Sequence, residues 1–490
     1  MSASLLPQRI SVMTSQATTD LPIHPPGQHA GRWAMPALAL SVSCAALGGS
    51  IANVALPDLA MAFAIPFAAV QWIVLAYFLA ATVLVVAIGA LGDRLGRRRL
   101  LIGGIILFTV ASAVAGLAPS FSVLVAARAA QGLGAAAMLA LAMALIGDVA
   151  GTAKTGSTMG LLGTVSAVGT ALGPSLGGLL VDAFGWRAVF FATVPLGLAA
   201  LGLAVRALPA DAVRTEGERP RFDLAGTALL ALALSAYALA MTVEMGASVT
   251  GALVAMALLG TGLFIAWERR APAPVVRIEA FADPAFAAAL AANVAVFSVM
   301  VATLVVGPFY LARGAGLDAG MVGLVMAVGP ITSALTGIPA GRLVDRFGAR
   351  RIAILGLGAM AMGTVALALL PPLFGLAAYV LALIIITPGY QMFQSANNTA
   401  VMTGISPERR GVTSGMLTLS RNLGLITGAA ALGAVFAVAA GTPDMTHASV
   451  VQVEAGLRVT FLIAAGLIAC ALVAIAVASA QTKRGGSAAP

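Results

Sequence analysis

Long apolar runs separated by short polar connections make up most of this chain. A helix needs about 20 residues to cross a bilayer core that is about 30 Å thick. On that measure the pattern predicts fourteen membrane-spanning helices, grouped six, two and six. The predicted spans are residues 33–56, 69–91, 100–118, 121–147, 156–181, 188–208, 223–243, 249–267, 285–311, 319–341, 351–370, 373–402, 411–436 and 455–479.

The composition supports an all-α polytopic membrane protein. The chain is 60% hydrophobic and 9% charged, with a mean hydropathy of +1.02, whereas soluble domains carry about 25% charged residues. A net charge of +9 would suit a nucleic-acid-binding protein if the arginines clustered on one folded face. Here they lie in small groups between apolar runs, which is how membrane topology is encoded, so we expect no nucleic-acid partner.

The positions of the basic residues predict the orientation. With the N-terminus inside, the loops on the cytoplasmic side hold most of the Lys and Arg, while Arg187 and Arg313 fall outside. We therefore expect a multi-pass protein of the cytoplasmic (plasma or inner) membrane with both termini in the cytoplasm. The middle pair could instead be one long helix plus a loop, which would give thirteen spans.

The grouping of the spans predicts five segments along the chain. They are a disordered cytoplasmic tail (1–32), an N-terminal six-helix bundle (33–208), a linker with two additional helices (209–284), a C-terminal six-helix bundle (285–479) and a short cytoplasmic tail (480–490). The linker pair is interpreted as a hairpin inserted between the two bundles.

A charged segment between the second and third spans recurs between the tenth and eleventh. The first copy contributes Gly89, Gly92, Asp93, Arg94, Gly96, Arg97 and Arg98, and the second contributes Asp345, Arg346, Gly348 and Arg350. Both copies read Asp-Arg-x-Gly followed by arginines, so the chain is interpreted as a duplicated bundle. At minimum each segment is a topology signal, and a role as a gating hinge is the sharper hypothesis.

Several segments together resemble the major facilitator superfamily, and in particular its fourteen-span drug:proton antiporter branch. They are the hinge from Gly89 to Leu101, the fourth-helix stretch from Arg128 to Gly134, and the segments 51–57 and 186–190. The fifth span is similar to the helix motif that marks exporters in that family. Its residues are Gly163, Gly169, Gly173, Pro174, Gly177 and Gly178.

The resemblance implies two bundles that are related by a pseudo-two-fold axis and rock about a central cavity. No ATP site is visible in the sequence, so we expect transport driven by a gradient, without a cofactor. The fifth-helix glycines are then expected to allow close helix contact and flexing, although ordinary small-residue packing would also use them.

Polar residues within the spans are the substrate and coupling candidates. They are Asn53, Tyr77, Arg128, Gln131, Gln391, Gln394, Asn397, Asn398 and Arg421. A buried arginine is costly without a partner, so both arginines are functional candidates, with a structural ion pair or carbonyl clamp as the alternative. Gln391, Gln394 and Asn398 share one helical face, and Tyr77 either stacks on a substrate or packs.

The spans lack a central carboxylate. The fourteen-span branch usually carries an Asp in its first helix, at the position of Gly48. Arginines and amides without a carboxylate favour a neutral or anionic substrate over a lipophilic cation, with Arg128 as the anchor for an acidic group. Any proton carrier would then lie at a helix end, or the substrate itself would carry the proton.

These features predict a secondary-active transporter that exports small organic molecules, such as drugs, antibiotics or toxic metabolites, by alternating access in antiport with protons. A metabolite importer or exchanger of anionic compounds remains open, and a non-transporting membrane receptor is a further alternative. An enzyme is not expected, because the spans contain no nucleophile–base pair, phosphate loop or metal spacing. We expect a monomer whose partners are the substrate, protons and the lipid bilayer.

Overall fold

The computed structural model describes residues 33–150, 155–211, 223–242, 247–272, 274, 276, 278–402, 407–442, 445 and 447–486, and these residues form helices and no β-strand. The long helices are α1 (Ala34–Ser50), α2 (Trp72–Leu95), α3 (Arg97–Gly116), α4 (Phe121–Ala150), α5 (Thr155–Phe184), α6 (Thr193–Ala207), α7 (Leu224–Thr242), α8 (Ala247–Glu268), α9 (Pro284–Phe309), α10 (Ala319–Phe347), α11 (Ala349–Leu369), α12 (Pro371–Met402), α13 (Pro407–Thr427) and α14 (Val450–Gly486). The predicted tail 1–32 lies outside the described residues.

Within the described residues, 13 helices are long and apolar enough to cross a membrane. The predicted fifth span corresponds to α5, a helix of 30 residues whose apolar stretch is the shorter segment Val168–Phe184. The first half of α5 is rich in Gly, Ser and Thr, which lowers its hydropathy. The middle pair, α7 and α8, forms two separate helices, so it is not one long helix plus a loop.

The helix contacts confirm the duplicated architecture. In the N-terminal bundle α1 packs on α4, α5 and α6, and α4 packs on α2 and α3. In the C-terminal bundle α9 packs on α13 and α14, and α12 packs on α10 and α11. The two bundles meet through α2 with α13 and through α5 with α10, which are equivalent pairs in the repeat. The chain therefore has the pseudo-two-fold arrangement of two bundles that the resemblance implies.

The inserted pair lies against the seam between the bundles. Helix α7 packs on α8, on α2 and on the π-helical turn Gly428–Leu432 that follows α13. The indole N–H of Trp72 donates to the hydroxyl of Thr242 across 3.0 Å, and Tyr237 hydrogen-bonds Thr427. The pair thus contacts both bundles instead of forming a separate domain.

The bundles are joined on one side of the membrane. We call the side that carries the α2–α3 and α10–α11 connections the hinge face, and the opposite side the distal face. On the distal face Phe67 contacts Phe309 and Phe436, with ring centroids 4.8 and 5.2 Å away, and one apolar core includes residues of both bundles. The hinge-face half of the N-terminal bundle packs as a core of its own, around residues such as Leu101 and Leu141. This is the packing of a state that is closed on the distal face.

Candidate translocation pathway

The hinge glycines have the same unusual backbone in both repeats. Gly96 and Gly348 directly precede α3 and α11 and have φ angles of +95° and +84°, which residues with a side chain rarely adopt. A Cβ at Gly92 would lie 2.7 Å from Leu141 Cδ2 of α4. The glycines therefore fix a sharp α2–α3 connection that lies against α4. Gly89, Asp93 and Arg94 lie outside the residues whose side-chain surroundings are described.

Asp211, just beyond α6, caps the first hinge, and the sequence did not single it out. Its carboxylate accepts the backbone N–H groups of Arg98 and Arg99, at 2.8 and 3.2 Å. The Arg98 guanidinium donates to the Val205 carbonyl at 2.6 Å, and Arg97 donates to the Ala144 carbonyl at 3.4 Å. These contacts connect α3 with α4 and α6 at the hinge face. An isolated Asp in a polar loop gives no signal of this partnership.

The second hinge is more open. Asp345, Arg346, Gly348 and Arg350 are exposed, and the Arg346 guanidinium lies 5.2 Å from the ring centroid of Phe347. The duplicated sequence therefore adopts the same backbone in two different surroundings.

The fifth-helix glycines are sites of close helix contact. A Cβ at Gly169 would lie 2.8 Å from the Ser43 carbonyl oxygen, and one at Gly177 would lie 2.7 Å from that of Ile51. A Cβ at Gly173 would lie closer still to the Ser50 hydroxyl, and Pro174 is buried within the helix. Gly163 lies in the part of α5 whose surroundings are not described. Small residues here let α5 pack directly on α1.

Gly178 faces the other bundle. A Cβ at this position would lie 2.5 Å from the Cα of Gly323 on α10, and a Cβ at Gly323 would lie 2.7 Å from the Cα of Gly178. Because both obstacles are backbone atoms, α5 and α10 touch here only if neither residue has a side chain. Gly323 was not among the predicted motif residues, since its partner lies in the other half of the chain.

Arg128 is fully buried and is held by backbone carbonyls. Its Nε donates to Ile73 O and one Nη donates to Gly48 O, both at 2.8 Å, and the same Nη contacts Gln131 Oε1. The guanidinium lies 4.5 Å from the Tyr77 ring centroid. The other Nη has no hydrogen-bond partner among the described atoms. This geometry is that of a clamp between α4, α1 and α2, so the predicted anchor role of Arg128 remains a prediction.

The surroundings of Gly48 show what occupies the position at which the resemblance places an acid in the first helix. A Cβ at Gly48 would lie 2.7 Å from the Phe108 ring, so the space for a side chain is filled by an aromatic residue of α3. The backbone carbonyl of Gly48 accepts the Arg128 N–H instead. The uncharged carbonyl group of Gly48 therefore lies beside Arg128, at the position where the resemblance would place a carboxylate.

The polar residues of α12 do not act as one group. The Gln391 amide donates to the Ser333 carbonyl and hydroxyl at 3.0 and 2.5 Å, which ties α12 to α10. Asn397 is buried. Its Nδ2 and the Oε1 of Gln394 have no hydrogen-bond partner in the described part of the chain. Asn398 is exposed. Gln394 and Asn397 therefore present unused hydrogen-bonding atoms within the C-terminal bundle.

Arg421 lies on α13 where the two bundles meet. Its guanidinium is 5.2 Å from the Phe297 ring centroid of α9, and Phe297 contacts Tyr390 edge to face at 5.7 Å. The Arg421 Nε has no hydrogen-bond partner among the described atoms. In this it differs from Arg128, whose Nε donates to the Ile73 carbonyl.

Two further amides lie unpaired near the distal closure. Asn53 follows α1 and is fully buried, and neither polar atom of its side chain has a partner in the described structure. Gln71 is buried and unpaired as well, and its amide fills the space beside Gly433 of the C-terminal bundle. Buried amides without partners are costly, which is typical of surfaces that rearrange or bind a ligand.

Fold and site together define a polytopic α-helical transporter with two pseudo-symmetric bundles around a polar centre. The profile of the Major Facilitator Superfamily matches residues 38–429. The chain therefore belongs to this superfamily, and it is a multi-pass membrane transporter and not an enzyme.

Similar proteins differ in what their names say about substrates. Multidrug resistance protein Stp of Mycobacterium tuberculosis is 34% identical over 80% of this chain and 73% of its own length. Riboflavin transporter RibZ of Clostridioides difficile is 28% identical over 82% of this chain and 87% of its own length. A bacterial homolog of the human lysosomal transporter Spinster, solved in an inward-facing and unoccupied conformation, has a TM-score of 0.67 at 18% identity, covering 91% of this chain and 96% of that one. The last likeness shows the fold.

Proposed function

We propose that this protein exports small neutral and acidic organic molecules by alternating access, in exchange for protons. The observation that carries the proposal is Arg421, which lies where the bundles meet, 5.2 Å from the Phe297 ring centroid, with an Nε that has no partner among the described residues. The similarity to a protein named for multidrug resistance and the close α5–α1 packing of the exporter-type glycines support the direction of transport. In this proposal the hinge face lies in the cytoplasm.

The substrate class follows from the charge around Arg421. Helices α9 and α12, and α13 beyond Glu408, contain no Asp or Glu. A guanidinium without a carboxylate partner binds an anionic group through strong, charge-assisted hydrogen bonds. The same positive charge repels a lipophilic cation. We therefore assign the role of acidic-group anchor to Arg421 and a structural role to Arg128.

The rings around Arg421 give the site its apolar surface. Phe297 of α9 lies 5.2 Å from the guanidinium, and Tyr390 of α12 packs edge to face on Phe297. Aromatic faces favour flat organic substrates, and their stacking does not require one particular hydrogen-bond pattern. A site of this kind accepts compounds that share a planar apolar body and, in the acidic members, one anionic group.

The test is transport by purified protein in vesicles, with an aromatic carboxylic acid and its neutral amide as paired substrates. We expect Arg421→Ala to reduce transport of the acid about tenfold to hundredfold, since hydrogen bonds to charged groups contribute about 1.5–3 kcal/mol. Transport of the amide should stay within about twofold of wild type. Arg458→Ala, an exposed arginine of α14, is the matched control and should change neither. If Arg421→Ala reduced transport of the acid and of the amide equally, or did not reduce transport of the acid, the anchor role of Arg421 would be refuted.

The direction of transport separates the proposal from its alternative. The similarity to a protein named as a riboflavin transporter supports import or exchange of a metabolite as the second candidate. Vesicles loaded with substrate and given a proton gradient of either sign distinguish the two. Efflux that acidifies the vesicle side from which the hinge face is reached supports proton-coupled export. Transport that ignores the proton gradient supports exchange.

A further inference from the structure

A cavity of about 250 Å³ lies between the two bundles on the distal face. One wall is the short helix Leu56–Phe63, which follows α1. The other wall is the π-helical turn Tyr310–Gly314 that ends α9, together with the first turn of α10. The cavity exists only while these elements face each other, so it reports directly on whether the distal face is closed.

Opposite charges face each other in this cavity. Asp58 belongs to the N-terminal wall and Arg313 to the C-terminal wall. The Arg313 guanidinium reaches across the seam, with one Nη 3.0 Å from Met61 Sδ. The charge of Arg313 attracts the Asp58 carboxylate. This proximity exists only in the closed arrangement, where the attraction favours ionised Asp58 and so partly offsets the cost of burying its charge.

The other acids at this place have different surroundings. Asp318 also lines the cavity, but its carboxylate accepts the backbone N–H of Met321 at 2.7 Å and so caps α10. Asp182, near Gly320, is exposed at the end of α5. Asp58 is thus the acid of this interface that shares the cavity with a cation of the opposite bundle and does not cap a helix there.

We propose that Asp58 and Arg313 form a proton-sensitive latch, in which a neutral Asp58 keeps the distal face closed and an ionised, hydrated Asp58 favours its opening. The inference rests on the alternating access of the proposed function and adds a place where protons act on it. One proton binds to the Asp58 carboxylate from distal water on closing and returns to that water on opening. The latch supplies a titrating acid in a chain whose first helix has Gly48 where its resemblance to the drug:proton antiporter branch places an Asp.

The direction of the pH effect follows from burial. Desolvation raises the pKa of Asp58 above its ordinary value of 3.8, while its own backbone N–H and the Arg313 charge act in the opposite direction and are weaker. When the bundles part, water reaches the carboxylate and its pKa falls back towards the ordinary value. A group with the higher pKa in the closed state binds a proton on closing. Acid on the distal side therefore favours closure, and this preference is lost as the pH rises through the raised pKa.

The test measures the distance across the distal face without substrate. Spin labels on Ala62→Cys and Leu373→Cys, in a background with Cys44→Ala and Cys470→Ala, report the separation of the bundles in lipid nanodiscs. In the parent protein we expect the short-distance population to decrease as the pH rises from about 4 to about 8. Asp58→Asn, which carries a permanently neutral side chain, should stay closed across this range.

A second variant tests the latch independently of how Asp58→Asn folds. Arg313→Gln removes the charge that lowers the pKa of Asp58, so the transition should move to higher pH. Asp182→Asn is the matched control on the same face and should leave the transition unchanged. A parent protein without a pH response, or a pH response that Asp58→Asn or Arg313→Gln leaves unaltered, would overturn the latch. Because the readout needs no substrate, loss of the proposed export activity leaves this result interpretable.

Discussion

The contact between Gly178 and Gly323 predicts how a single methyl group should open the distal face. A Cβ added at Gly323 would lie 2.7 Å from Gly178 Cα and 3.0 Å from the Pro174 carbonyl oxygen. Carbon atoms in ordinary contact are about 3.5–4.0 Å apart, so α5 and α10 must separate by about 1 Å to admit the methyl group of alanine. Neither obstacle is a side chain that can rotate away.

The magnitude follows from the cost of overpacking. Extra methyl groups in a packed interface cost about 1–3 kcal/mol, which corresponds to a change of about 5-fold to 150-fold in an equilibrium constant. The Gly178–Gly323 contact joins the two bundles in the closed arrangement and is absent once they part. Gly323→Ala should therefore shift the equilibrium towards the distal-open state by this factor, without lowering the stability of either bundle.

The assay uses the label pair on Ala62 and Leu373. We expect Gly323→Ala to increase the long-distance population at a fixed pH. Gly341→Ala is the matched control on the same helix, because a Cβ there would meet nothing within 4 Å. An unchanged distance distribution in Gly323→Ala, or an equal shift in Gly341→Ala, would refute the view that this glycine pair sets the closed state.

Two further predictions concern the buried contacts of the N-terminal bundle. Gly48→Asp should lower the free energy of unfolding of the purified protein by about 1–3 kcal/mol, because its Cβ would lie 2.7 Å from the Phe108 ring. The same substitution should cost less when it is made in a Phe108→Ala background, where the ring no longer occupies the space beside Arg128. An equal cost of Gly48→Asp in both backgrounds would contradict this account. Asp211→Ala should cost about 1 kcal/mol through loss of the α3 cap, and Asp211→Asn should retain part of that stability. Thermal unfolding measures both, and equal losses in the Ala and Asn variants would argue against capping.

The helices and their duplication could be predicted from sequence because both depend on local patterns. Span lengths follow from the apolar runs, and Gly96 and Gly348 mark the same turn in both repeats. The fifth-helix glycines were identified by resemblance, and four of them, Gly169, Gly173, Gly177 and Gly178, lie at close helix contacts.

The partners of the candidate residues could not be predicted, because they depend on packing between distant segments. Arg128 is satisfied by carbonyl oxygens, which every residue has, so no sequence pattern marks its partners. The same holds for Asp211, which reaches Arg98 more than 100 residues away, and for Gly323, which pairs with a glycine of the other repeat. A shared helical face did not unite Gln391 with Asn398, since α10 covers one end of that face and the other end is exposed.

Helix α9 connects the proposed substrate anchor with the proposed latch. Its Phe297 lies against Arg421, its Asn293 donates to the Ser420 hydroxyl at 2.9 Å, and the turn that ends it carries Arg313. Sixteen residues separate Phe297 from Arg313, which is about 24 Å along a helix. Because a helix transmits displacement over such a length as a rigid element, a ligand that moves α9 against α13 also moves Arg313 relative to Asp58. In this scheme the acid need not lie beside the substrate, because distal protons and substrate act on the same closure through the position of one helix. Since the Asp58 proton returns to distal water, the latch regulates opening and does not itself carry protons across the membrane.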